Sequence, residues 1–432
     1  MRRVTAALRR HWFAPASLRD LAIVRITLVA AQLLFFLPAL QQQIALTRHD
    51  ERLYVPIPAL KVLMLPVAAW GARPTPDLLQ AVWLLAVVSG VMALIGLYTR
   101  PSLLAFAAGN TLLTAHEYSY GESHHPEGLM MIALWLLALS PAGRASSVDE
   151  LRARLDATRR TLTFRPARPE DDLDEMARWP LRTVQWLLVL AYLSAGLSKL
   201  VVGGMAWFSP ATLQYYLIRD SLRWNAPLGV ELAGHPVLVA LAAVGTVAFE
   251  LTFAVAVLVP RVTPFYLVGG ALLHTGIFVA QHAPFFQFIA LYVVFIRPRW
   301  RRIRSRAAPR PLTVVYDGAC PLCLRTMTAL DFLDGGGRLR YVDFERDWET
   351  AVGVVPGLTP PAAREAIHVV TPDGAVHRGF DAFHALARAL PTLRPAGALM
   401  SLPPVSRIGR AVYARVAARR ARVACTTESC RI

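Results

Sequence analysis

The feature that most limits the fold is a series of apolar runs, each near bilayer-spanning length, that fill the first three hundred residues. A helix satisfies its own backbone hydrogen bonds, so runs of this length in lipid fold as helices packed side by side. The spacing predicts spans over 21–40, 78–97, 101–115, 128–140, 184–202, 237–259, 262–279 and 285–296. The last is short of the usual length of about 20 residues and is expected to be tilted or partly buried in protein. Between the first two, residues 56–70 carry prolines and Lys61, which suggests an interfacial or re-entrant segment.

Charge collects between these runs. Charged residues make up 17% of the chain, against about a quarter in an ordinary soluble protein. The net charge of +17 would ordinarily suggest nucleic acid. Here the arginines flank apolar runs, as the positive-inside rule expects, so the predicted partner of this charge is the lipid bilayer and nucleic acid is not expected. Nine arginines lie from Arg144 to Arg182, which places that stretch on the cytoplasmic side. The Arg2-Arg3 and Arg9-Arg10 pairs read as cytoplasmic anchors, and Arg25 interrupts the first run, which argues against a cleavable signal peptide. Eight spans with a cytoplasmic N-terminus return the C-terminus to the cytoplasm of an inner-membrane, multi-pass protein.

From Pro311 the character changes. Residues 312–316 are a β-branched run ending in Asp317-Gly318, followed by a cysteine pair and a helical pattern. Residues 338–344, 366–370 and 375–378 read as strands, the last two joined by the turn Thr371-Pro372-Asp373-Gly374, and 383–390 as a helix. The fold class expected is therefore a multi-pass α-helical membrane bundle of about eight spans followed by a small α/β, thioredoxin-like domain. The boundaries expected are 1–298 for the membrane domain, 299–310 for a basic linker, 311–415 for the α/β domain and 416–432 for an arginine-rich tail.

All four cysteines lie outside the apolar part: Cys320, Cys323, Cys425 and Cys430. Four in a chain of this size do not make a disulfide scaffold. Cys320-Pro321-Leu322-Cys323 follows a strand and opens a helix, where both sulfurs meet across one turn and the helix N-terminus stabilises the first thiolate. Cys320 would attack a disulfide and Cys323 would resolve the mixed disulfide, with a partner protein or a dithiol on the other side. Half of a zinc site is the competing reading, with Cys425 and Cys430 as poorly spaced further ligands. The run Tyr316-Asp317-Gly318-Ala319-Cys320-Pro321-Leu322-Cys323 resembles the signature of the DCC family of thiol–disulfide oxidoreductases, over Pro311 to about Arg415. The resemblance implies that Asp317 positions the cysteine loop. No proline directly precedes Ile367, where a thioredoxin would carry its cis-proline. The Cys425/Cys430 pair reads equally as a second redox relay or as inert.

In the membrane part, Lys199 is one of only two lysines among 46 basic residues. An intramembrane lysine costs about 2.5–3.5 kcal/mol on insertion scales and is a functional candidate as a base. The alternative is a helix-end lysine whose side chain reaches the interface. His274 lies in the middle of its span, where a structural, hydrogen-bonded role competes with a catalytic one. His124 and His125, with His116 and Glu127, form only a loose metal-like pattern, and no metal is expected. By the span count, His124/His125, the end of the fifth span and the distal half of the seventh lie toward the outer side, which makes them one candidate site.

Residues Ala195-Gly196-Leu197-Ser198-Lys199-Leu200 with Trp207, His125 ahead of Ser147-Val148-Asp149, and Glu250 ahead of His274 resemble the vitamin K-dependent γ-carboxylase-like membrane domain, also called the horizontally transferred transmembrane (HTTM) domain. The resemblance runs from about Leu18 to Pro298. It implies that Lys199 deprotonates a vitamin K-like quinol, assisted by His125 and His274. Ser198 stands where the carboxylase has a second lysine, and the carboxylase's large extracytoplasmic domain is missing. The reading that follows is a membrane thiol–disulfide oxidoreductase with a quinone or quinol at the membrane site. The cysteine pair and the membrane site are expected to face opposite sides of the bilayer, so a mobile quinone or a partner protein would link them. The other classes open on sequence alone are γ-carboxylase-like modification of exported peptides and a non-catalytic maturation or immunity factor.

Overall fold

The computed structural model describes residues 2–65, 71–121, 125–296, 311–335 and 337–424, and the chain divides into two units. Residues 1–149 and 172–297 form the first, and residues 150–171 and 298–432 form the second.

The first unit is helical. It runs through α1 (Arg2–Phe13), α2 (Leu18–Ala31), α3 (Leu40–Leu46), α4 (Pro58–Met64), α5 (Pro76–Ile95), α6 (Thr99–Tyr118) and α7 (His125–Leu139). Helix α8 (Val148–Thr161) leads into the second unit. The first unit resumes with α9 (Arg178–Val201), α10 (Pro210–Trp224), α11 (Pro227–Ala233), α12 (Pro236–Thr252), α13 (Ala254–Leu258), α14 (Thr263–Gln281) and α15 (Phe286–Leu291). Two short strands, β1 (Ala16–Ser17) and β2 (Leu173–Asp174), pair antiparallel.

The helix boundaries follow local chemistry. Ser17 caps α2 by accepting from the Asp20 amide at 3.1 Å. Thr75 accepts from Leu78 N–H, Pro76 opens α5, and Gly96 closes it in the left-handed region at φ 71°. Asp149 caps α6 by accepting from the amides of Tyr98 at 2.9 Å and Thr99 at 2.6 Å. Helix α10 starts with Pro210 at its first turn, and the Ser209 side chain makes no capping bond there.

Among the described residues, helices occupy each of the eight expected crossing segments, but only some have the length and apolarity to span a bilayer. Four do so as single stretches: Pro76–Ile95, Glu175–Val201, Pro236–Leu258 and Thr263–Gln281. A fifth is a broken pair, Leu18–Phe36 with Leu40–Leu46, bent by 59°. Its break follows a π-helical turn at Gln32–Phe36, where the Gln32 amide donates to the Phe36 carbonyl and to Asn110 Oδ1. Helix α6 has the length, but Asn110, Thr111, Thr114, His116 and Glu117 dilute its apolar run. Pro126–Leu139 and Phe286–Phe295 are apolar but short.

The core of the first unit gathers Leu21 and Leu28 from α2, Phe106, Met130, Leu188, Phe253 and Phe288. Arg25 sits inside it, fully buried, and donates to the carbonyls of Ala142 at 2.6 Å and Ser146 at 2.7 Å. A charge so placed is tolerable only because backbone oxygens replace its water.

The second unit carries a four-stranded mixed sheet. Its strands are β3 (Leu312–Tyr316), β4 (Leu339–Asp343), β5 (His368–Val370) and β6 (Val376–Arg378), in the order β4-β3-β5-β6. β3 and β4 are parallel, and the β3–β5 and β5–β6 pairs are antiparallel. Its helices are α16 (Pro321–Leu333), α17 (Trp348–Val354), α18 (Pro360–Glu365), α19 (Phe380–Ala389), α20 (Arg394–Met400) and α21 (Pro403–Ala424). The predicted β-α-β and β-β-α order holds, with each predicted strand trimmed by two residues or fewer at an end.

The arginine-rich stretch read from sequence as a cytoplasmic loop supplies part of this unit. Arg154 of α8 forms an ion pair with Asp331 of α16, and Thr158 Oγ1 lies 2.9 Å from Thr328 Oγ1. Phe164 packs edge-on against Tyr341, with ring centroids 4.8 Å apart.

Candidate functional site

Lys199 and Tyr192 lie seven residues apart on α9, so their side chains leave one face of the helix. Lys199 Nζ donates to both carboxylate oxygens of Glu250 on α12, at 2.7 and 2.8 Å, and lies 5.3 Å from the Trp207 ring centre. The lysine is therefore held by a carboxylate and an indole face, and does not simply reach outward from the helix end. Gly196 makes the close helix approach possible, since a Cβ there would stand 2.9 Å from Leu251 Cδ2 and 3.2 Å from Glu250 Cβ. Tyr192 Oη lies 2.6 Å from His274 Nε2 and is also hydrogen-bonded to the Tyr292 hydroxyl. His274 stacks on Phe288 at 4.9 Å between ring centres. Gly270, one turn before His274, leaves the space that the Tyr292 hydroxyl fills.

Lys199, Glu250, Tyr192 and His274 all line one cavity of about 540 Å³, with Trp207 and Phe285 among its aromatic walls. Trp207 Nε1 is buried there with no hydrogen-bond partner among the described residues.

In the second unit, Cys320 is the N-cap residue of α16, with extended backbone at φ −97° and ψ 113°. Its carbonyl accepts the first helical bond from Leu324 N–H at 3.1 Å. Asp317 Oδ1 accepts from the Ala319 amide at 2.9 Å, and Asp343 Oδ1 accepts from the Gly318 amide at 3.1 Å. Gly318 is required here because a Cβ would overlap the Asp343 carboxylate. Cys320 and Cys323 are both buried. Cys323 lines a groove of about 160 Å³ with Leu322, Met327, Ile367, Phe383 and Tyr413. Burial, with the nearby Asp343 charge second, pushes the Tyr316 hydroxyl up to about 12. Tyr316 is therefore a neutral donor or acceptor over the physiological range.

The HTTM domain family matches residues 13–300, most of the chain. This chain belongs to the HTTM family. Its C-terminal residues 314–426 match the DCC1-like thiol-disulfide oxidoreductase family, so the chain is an HTTM membrane domain followed by a DCC1-like redox domain. No curated protein and no solved structure matches it.

The HTTM part brings together three of the residues that the sequence singled out, Lys199, Glu250 and His274. His125 opens α7, and its side chain, like all of His124, lies outside the described residues. His116 does not join them: it is buried with its ring Nε2 3.2 Å from the Gln43 carbonyl. Glu127 accepts from Tyr118 at 3.1 Å and from Gln287 at 3.3 Å. Among the described residues, no group of His, Cys, Asp and Glu has the geometry to hold a metal ion.

Sequence reasoning missed Tyr192, Tyr292 and Asp343. Tyr192 is visible in hindsight as the polar residue two turns before Lys199. Nothing local marks Tyr292, which depends on Gly270 across the bundle. In the DCC1-like part, Asp317 lies in the loop that leads to Cys320 and Cys323 at the start of α16, whereas Cys425 and Cys430 lie outside the described residues.

Proposed function

We propose that this chain is a multi-pass inner-membrane thiol–disulfide oxidoreductase that exchanges disulfides at Cys320/Cys323. The seating of that pair at the start of α16, beside an apolar groove, carries the reading. Cys320 has the helix N-terminus to stabilise its thiolate, and Cys323 is one turn away to resolve a mixed disulfide. Both chain ends lie on the cytoplasmic side, with the more polar α6 and the shorter α7 and 286–295 segment as the three further crossings in a bundle of eight.

The HTTM cavity is read as a quinol site. Its size falls within the usual range for small ligands, about 300–1,000 Å³. Its lining fits a quinone head: aromatic walls, the buried Trp207 N–H as a donor, and Lys199, Ser198 and His274 as polar partners. A bound quinol would supply two electrons and two protons. Lys199 and Glu250 hold a proton between Nζ and the carboxylate, while Tyr192 hands a proton between His274 and Tyr292. The resemblance to the carboxylase-like domain adds His125 as a further candidate.

Three measurements test this. Purified full-length protein equilibrated in a glutathione series should show a two-electron transition at Cys320/Cys323 that disappears in Cys320→Ser. Its absence sinks the oxidoreductase reading. Membrane-impermeant maleimide should label these cysteines only in inverted vesicles; labelling of intact cells would overturn the orientation. With dissolved oxygen as the two-electron acceptor, a short-chain naphthoquinol should be oxidised to the quinone by wild type and far more slowly by Lys199→Ala. Equal rates remove the quinol role, and a Lys199-dependent mass increase on an exported peptide would favour the γ-carboxylase-like alternative.

A further inference from the structure

The groove beside Cys323 is partly built by the helix that ends the described chain. Tyr413, Val416 and Ala417 of α21 form one wall, and Leu322, Cys323, Thr326, Met327, Ile367 and Phe383 form the rest. The helix is closely seated there. Tyr413 Oη accepts from the Ile367 amide at 3.2 Å, Arg410 pairs with Asp381 at 2.9 Å, and Gly409 lies against the Phe380 ring so closely that a Cβ would be 2.7 Å from Cζ. Helix α21 therefore leads the end of the chain away from a fixed point beside the active cysteine pair.

Eight residues follow Ala424, from Cys425 to Ile432, and they hold the only other cysteines in the chain. Seven helical residues separate Ala417 from Ala424, a rise of about 10 Å. The six residues from Ala424 to Cys430 reach up to about 20 Å when extended. Cys430 can therefore return to the groove, whereas Cys425, one residue beyond the helix, cannot reach as far.

We propose that the groove receives the chain's own C-terminal tail, and that the Cys425/Cys430 dithiol exchanges with the Cys320/Cys323 pair through Cys323. The inference rests on reading Cys320/Cys323 as a thiol–disulfide pair and names its in-chain partner. With that pair oxidised, the Cys430 thiolate attacks Cys323 Sγ. A Cys430–Cys323 bond forms, the Cys320–Cys323 bond breaks, and Cys320 leaves as the thiolate that the α16 N-terminus stabilises. Cys425 then attacks Cys430, forming the Cys425–Cys430 disulfide and releasing Cys323 as a thiolate. Two electrons pass from the tail to the domain. The two tail thiols lose their protons to solvent, and Cys320 and Cys323 take up two. Cys323 thus serves the internal partner, and Cys320 remains the attacking sulfur for an external one.

The test uses the full-length chain in detergent, at a concentration where it runs as a monomer on a non-reducing gel. The double variant Cys320→Ser/Cys425→Ser keeps only Cys323 and Cys430. On mild oxidation with glutathione disulfide it should link the tryptic peptide holding Cys323 to the one holding Cys430. The matched variant Cys323→Ser/Cys425→Ser should give that link at several-fold lower yield. Equal yields, no link in either, or links only between two chains overturn the proposal. Cys425→Ser/Cys430→Ser separates the two readings. If Cys320/Cys323 still cycles there while the trap fails, the relay alone falls; if the pair never cycles in wild type, both fall.

Discussion

Lys199 and Glu250 meet across α9 and α12 as a two-point ion pair, with Nζ 2.7 and 2.8 Å from the two carboxylate oxygens. The lysine side chain is about one-fifth exposed and the glutamate less than one-tenth, so each is the main compensation for the other's lost water. Removing one partner is therefore worse than removing both. Lys199→Met should destabilise the HTTM unit by about 3–5 kcal/mol, and adding Glu250→Leu should restore most of that loss. Thermal unfolding of the two variants and the pair, compared as a double-mutant cycle, checks this. Additive losses would show that the pair is not coupled.

Gly270 and Gly196 should each resist even a methyl group. Gly270→Ala puts Cβ where the Tyr292 hydroxyl sits and should detach Tyr292 from Tyr192, at a cost of about 1–3 kcal/mol. Gly196→Ala should push α12 outward and lengthen the Lys199–Glu250 contact. A lowered melting temperature for both is expected, with Gly276→Ala as the control, because nothing lies within 4 Å of a Cβ at that position.

The cysteine loop should depend on Gly318 and Asp343 as a pair. Gly318→Ala forces the Asp343 carboxylate aside and costs the hydrogen bonds it accepts from the Gly318 and Glu345 amides. Amide hydrogen exchange over 312–333 should accelerate in Gly318→Ala, and the rate of thiol exchange at Cys320 should fall. Unchanged exchange on both counts would show that the loop is held by Asp317 alone.

His368 supplies a pH dependence. Burial first, and the Arg378 charge second, hold its imidazole below the usual histidine range. The folded domain therefore keeps the ring neutral while the unfolded chain protonates it near pH ~6.5. Its contribution is fully present above that value and is lost as pH falls from there toward the depressed folded value. Hydrogen exchange of β5 should quicken as pH is lowered through this window, after correction for intrinsic rates. His368→Gln should flatten that dependence.

How much of this was legible in the sequence depended on how local each signal was. The strand–Asp-Gly–cysteine–helix order of the redox domain could be read almost to the residue, because β-branched runs, a turn and a helix start all sit within a dozen positions. Lys199 and His274 stood out as polar residues in apolar runs, and Glu250 entered only through the resemblance to the carboxylase-like domain. What joins them did not show: Tyr192 is an ordinary aromatic in such a helix, and the Gly270–Tyr292 contact crosses between elements far apart in the chain. The span count was hardest for the same reason. An apolar window measures one helix at a time, whereas α6 carries polar groups such as Asn110 that are satisfied by neighbours, here Gln32.

The placement of residues 150–171 in the C-terminal unit has a consequence for how the protein is made and handled. A fragment cut at the basic linker would lack Arg154, Thr158 and Phe164, and so would expose the sides of Asp331, Thr328 and Tyr341 that they cover. On the ribosome, α8 is synthesised well before the sheet it packs with, and must wait while the chain from α9 to α15 is made. The redox domain can close only after the whole HTTM part has been synthesised, so its two sequence pieces must find each other across the length of that part.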